Sequence, residues 1–187
     1  MKYILGVLGA IVLLVIAAVL ITTTSNRTGE VQEGVRRVRL ADFINTDAMV
    51  SWTEQGELVG DDQHKEIRIT VSRSERRTEI LTGYSQTIER NQSLANTQEA
   101  FDRFMRSLNE AGFARQRETQ QTDYRGACPV GKRYIYTLNQ GGNDDLFLWS
   151  TSCSREDGTF GGRASMVKRL FQNQITDYDD FVHGVKL

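Results

Sequence analysis

Residues 128–153 read CPVGKRYIYTLNQGGNDDLFLWSTSC, and the way this stretch folds back on itself decides what surrounds it. It opens and closes with the two cysteines of the chain, and Pro129 is the only proline. Lys132 to Leu138 and Leu146 to Cys153 carry the aromatic and β-branched residues of strands, and NQGGNDD between them supplies turn chemistry. An antiparallel hairpin is expected. Two registers fit. A turn centred between Gln140 and Gly141 sets Cys128 opposite Cys153. A turn centred on Gly142 sets Cys153 opposite Gly131, and Cys128 then needs a bulge or a bend at Pro129 to come across.

The favoured reading is a disulfide between Cys128 and Cys153, with Cα atoms in bridging range in the first register. Closing that loop is worth about 3 to 4 kcal/mol in the chain-entropy picture. Two buried free thiols are the plain alternative. A zinc site would want four ligands, and neither His64 nor His183 lies near the cysteines in sequence. A thioredoxin-like site would need C-x-x-C, of which CPVG has only the first cysteine.

Working outward, KEIRITVSR (residues 65–73) alternates Ile67, Ile69 and Val71 with Glu66, Arg68 and Thr70. One face is expected to be buried and the other wet, an arrangement of antiparallel rather than parallel sheets. AMVSWTEQG (48–56) reads as a strand, LADFI (40–44) as a short helix, and residues 78–90 as one further alternating strand. Asn96 with Glu99 offers a capping box. A helix then follows, with an apolar stripe of Ala100, Phe101, Phe104, Met105, Leu108 and Ala111, ending at Gly112. Phe113 to Thr119 is a candidate strand, and residues 163–175 a second amphipathic helix.

The first residues add an anchor. Tyr3 to Thr22 contains no charge and is long enough, at about 30 Å as a helix, to cross a bilayer core. The run exceeds the apolar region of a cleaved signal peptide, so an uncleaved signal anchor is expected. The organisation that follows is a transmembrane signal anchor at 1–22, a juxtamembrane linker at 23–38 and one α+β domain at 39–187. That domain is expected to hold an antiparallel sheet of about five to seven strands with two main amphipathic helices on one face.

Charge restricts function. Lys and Arg total 23 against 24 Asp and Glu, a net charge of -1. A near-neutral chain does not bind nucleic acid through bulk electrostatics, so no nucleic-acid partner is expected. The cysteine pairing favours export of the domain, whereas Arg27, Arg36, Arg37 and Arg39 beside the anchor favour retention under the positive-inside rule. Long domains cross largely regardless of such charges, so the extracytoplasmic side is preferred.

Candidate binding residues are the arginines of RSERR, Arg73, Arg76 and Arg77, for anionic groups, and the hairpin aromatics Tyr134, Tyr136 and Trp149, with Phe147, as a platform for a protein or glycan partner. A solvated turn and a buried aromatic pair explain the same residues. Asp177, Asp179 and Asp180 lack the spacing of a calcium loop. No G-x-S-x-G or H-E-x-x-H motif is present, and no cofactor, metal or catalytic residue is assigned. The pattern C-P-x-G-x-R-Y-x-Y…L-W-S-T-S-C after a helix ending in AGF resembles small single-pass membrane-anchored proteins of reduced-genome bacteria. That resemblance implies an anchored domain and carries no activity or binding residues; the lipid bilayer as a partner is expected from the N-terminal helix itself. The expected function is a non-enzymatic, extracytoplasmic interaction domain. The alternatives are a cytoplasmic-facing assembly factor and a membrane-tethered hydrolase using His64 or His183 with Asp61 or Asp180.

Overall fold

The computed structural model describes residues 38–154 and 158–187. The expected anchor and all but the last residue of the expected linker lie outside the described residues. Among the described residues no helix is long and apolar enough to cross a membrane.

Six strands form one sheet: β1 (Met49–Gln55), β2 (Lys65–Val71), β3 (Glu75–Thr82), β4 (Thr87–Ala95), β5 (Arg133–Gln140) and β6 (Asn143–Thr151). Their order is β4-β3-β2-β1-β5-β6, and every neighbouring pair is antiparallel. Two main helices, α1 (Gln98–Ala111) and α2 (Ala164–Gln172), are followed by a single turn, α3 (Tyr178–Phe181). A 3₁₀ turn at Leu40–Phe43 precedes the sheet.

The core follows from strand alternation. Val50, Trp52, Ile69, Val71, Tyr136, Leu138, Leu146 and Leu148 point to one face, where Phe101, Phe104, Met105 and Leu108 of α1 and Val167 and Phe171 of α2 meet them. Phe104 and Phe171 pack edge to face at 5.1 Å, and the Tyr136 and Phe160 rings stack at 3.9 Å. Both helices lie on that one face, as their stripes required. Gly112 ends α1 with φ 79°, a left-handed position that suits glycine.

The hairpin takes the second of the two registers. Gly141 and Gly142 both have positive φ, as a two-residue I′ turn needs, and Leu138 faces Leu146 before a bulge. Carried down the strands, Arg133 faces Thr151, and Cys153 therefore lies beyond the ladder, level with Gly131. The chain bends at Pro129, with Gly131 N–H donating to Cys128 O, and this carries Cys128 across to Cys153. The disulfide joins Cα atoms 5.7 Å apart. A side chain at Gly131 would meet the Cys128 sulfur at 2.6 Å, so the bend needs glycine there.

Several local expectations are corrected. Residues 78–90 are not one strand: the chain turns at residues 83–86, and β4 continues through Ala95. Gly83 and Gln86 both adopt positive φ, and Asp61 secures the turn by accepting from Tyr84 N–H at 2.7 Å. The cap of α1 is Thr97, whose hydroxyl accepts from Ala100 N–H, while the Asn96 amide donates to Ser72 O. Phe113 to Thr119 contributes one isolated bridge, Gln116 with Phe160, rather than a strand. The second helix stops at Gln172, short of Ile175.

Candidate functional site

Among the described residues no helix lies on the second face of the sheet. Reading across the register gives three rows. The first is Arg77–Thr70–Ser51–Thr137–Phe147, the second Glu79–Arg68–Thr53–Ile135–Trp149, and the third Leu81–Glu66–Gln55–Arg133–Thr151. The first two rows floor a groove of about 420 Å³. Ser51 and Thr137 share a hydrogen bond at 2.6 Å at its centre. Arg77 lies at one end, with its Nε 3.8 Å from Glu79. Phe147 lies at the other end, its ring 5.5 Å from that of Tyr124.

The third row bounds the groove along one side with buried charge. Glu66, 2% exposed, was expected on a wet face and is a correction. Its Oε1 accepts from the Gln55 amide at 2.8 Å and lies 3.3 Å from His64 Nε2. Its Oε2 accepts from the Gln86 amide at 3.2 Å. Arg133 donates to Gln55 Oε1, Ala127 O and Gly56 O, and its burial pulls the guanidinium pKa down from the ordinary value. A charge can sit in such a place only when partners satisfy it. The partners come from β1, the β3–β4 turn and the loops before β2 and β5, and Leu58 N–H ties those two loops together by donating to Pro129 O. Gln86 links this network to the groove, since its Oε1 accepts from Arg68 Nη2 at 2.7 Å. The buried row thus orients Arg68, one of the groove's two arginines.

His64 is itself enclosed. It is 1% exposed, with Nδ1 3.1 Å from Glu57 O and Nε2 facing Glu66. The Tyr84 ring stacks on it at 4.3 Å. Both ring nitrogens are engaged within the fold. Asp61 serves the β3–β4 turn, and His183 lines a cavity with Glu57, Gln63, Lys65 and Glu89 in whose lining Asp61, His64 and Asp180 take no part. Among the described residues no three His, Cys, Asp or Glu side chains come together to hold a metal.

The candidate arginines and aromatics also separate. Arg73 donates to Asn45 O. Arg76 points to the helix side, donating to Ala95 O and Gln174 O. Arg77, one residue later, points into the groove. The aromatics divide in the same way. Tyr136 is fully buried in the core, and Tyr134 stacks on Trp52 on the helix face. Trp149 lies on the groove face but is buried, its indole N–H donating to Thr122 O. Of these aromatics only Phe147 is exposed, at 43%. Sequence reasoning passed over Thr70, Ser51 and Thr137, because threonines on a polar strand face look the same whether or not their rows align into a groove.

On the helix side Glu54 is buried between Lys132 Nζ at 2.9 Å and Lys168 Nζ at 2.8 Å, with Lys168 also lying over the Trp52 ring. This triad joins the hairpin and α2 to β1 and is satisfied within the fold. No protein-family model matches the chain, and no curated protein matches it.

Proposed function

We propose that this chain is a single-pass membrane-anchored, extracytoplasmic, non-enzymatic binding domain that meets its partner with the helix-free face of its sheet. The observation that carries the binding role is that bare face, a shallow groove with a polar floor, one half-exposed aromatic ring and a guanidinium, held in place by a buried network. Ligand sites are concavities in which a few placed polar groups supply specificity. The apolar run at Tyr3 to Thr22 supports the anchor.

The side of the membrane rests on the Cys128–Cys153 disulfide, since such bonds persist in oxidising compartments. A bulky maleimide applied to acid-quenched intact cells, with and without prior reduction, tests it. A gel shift only after reduction supports export. A shift without reductant would place the domain in the cytoplasm as an assembly factor.

A further inference from the structure

We infer that the groove on the open face takes a neutral oligosaccharide, laid across the strands between Phe147 and the Arg77–Glu79 pair. The inference rests on the binding role given to this face above and names the ligand chemistry.

The backbone of a sheet face is committed to its ladders, so a ligand lying across the strands meets side chains alone. A peptide draws its affinity from backbone partners, which a sheet offers at its edges. The floor is made of hydroxyls: Thr70 can donate and accept, and the Ser51–Thr137 pair, which uses one proton in its own hydrogen bond, keeps one donor and further acceptor capacity. Covering it with an apolar ligand would strand those groups. Each arginine of the groove is matched by a carboxylate, Arg68 by Glu66 at 3.9 Å and Arg77 by Glu79 at 3.8 Å, so neither stands as a lone cation for an acidic ligand. Arg77, its side chain 40% exposed, can donate from its guanidinium to ligand hydroxyls, while its Nε is buried 3.8 Å from the Glu79 carboxylate. At the far end the Phe147 ring, backed by Tyr124, offers an aromatic face to the C–H side of a sugar. From β3 to β6 the sheet crosses four strand spacings, about 19 Å. That length accommodates a short oligomer rather than a single sugar.

The test uses the full chain, disulfide intact, in detergent micelles. A microarray carries neutral hexose and N-acetylhexosamine oligomers beside sulfated and uronic-acid-bearing glycans, followed by calorimetric titration of the oligomers retained. The expected result is retention of neutral oligomers over the corresponding monosaccharides, insensitive to added salt. Phe147→Ala and Arg77→Ala should each weaken that binding about tenfold or more while leaving the fold intact. Retention of acidic glycans alone, weakened by salt, overturns the inference, as does retention of none. A photoreactive phenylalanine analogue in place of Phe147, activated in cells, separates the two readings. An adduct to a protein alongside a blank array keeps the binding face and overturns the saccharide. A blank array with no adduct overturns both.

Discussion

Ser51 and Trp52 are neighbours on one strand, yet they belong to different parts of the molecule. Trp52 is fully buried beneath α2, between Ile69 and Tyr136 in the register, on a face made continuous by apolar side chains from two helices. Ser51 lies between Thr70 and Thr137 on a face that, among the described residues, no helix covers. The two faces also bury charge differently. On the helix side Glu54 is held by two lysines that reach the surface, whereas Glu66 and Arg133 on the open side are held by amides, carbonyls and His64 inside the fold. One face is built for cohesion. The other spends buried polar groups on keeping surface groups still.

The comparison breaks most visibly where burial is greatest. Trp52→Ala removes a fully buried indole and should cost about 3 to 5 kcal/mol, read from chemical unfolding, while Ser51→Ala next to it should cost about 1 kcal/mol at most. Cys128→Ala with Cys153→Ala should cost about 3 kcal/mol, and reduction of the wild-type chain should lower its unfolding midpoint to match. Arg133→Met leaves Gln55 Oε1, Ala127 O and Gly56 O without their donor, and should cost about 1 to 3 kcal/mol. Beyond stability, it should loosen the loops at residues 56–64 and 124–131, seen as faster amide exchange there.

A pH series sharpens the contrast on the helix side. Burial raises the Tyr136 phenol above its ordinary value, so the folded state favours the neutral form. The stability this contributes is fully present below the unfolded tyrosine value of about 10 and is lost as pH rises past it. The unfolding midpoint should fall above about pH 10, and Tyr136→Phe should flatten that fall. The smallest effect belongs to the groove: Phe147→Ala and Thr70→Val should stay within about 0.5 kcal/mol of wild type. If they cost more, the open face is part of the core rather than a working surface.

The helix-bearing face was legible in the sequence because its signals are local. The period-2 runs of Ile67, Ile69 and Val71, the stripe from Phe101 to Leu108 and the Gly-Gly turn each lie within one short window. The cysteine pair was legible as a pair, but its register was not, since a bulge after Leu138 shifts the strands and Gly131 makes the bend. The β3–β4 turn was missed because Gln86 takes a positive φ that its type does not advertise, and because the turn is stabilised by Asp61 from another loop. Glu66 looked like a solvated residue in an alternating strand. Its partners Gln55, Gln86 and His64 reach it only once β1, β2 and the two loops are assembled. The groove depends on the same assembly, as its rows join β3, β2, β1, β5 and β6.

The most direct measurement uses a matched pair of exposed apolar side chains. Phe147 is 43% exposed on the open face, and Met166 is 41% exposed on α2, which covers the other face. A photoreactive phenylalanine analogue is placed at one position or the other in the full chain, and the chain is irradiated in living cells. An adduct from position 147 and none from position 166 is the result expected if the open face is where the protein works. An adduct from position 166 alone would contradict it and move the working surface to the helices.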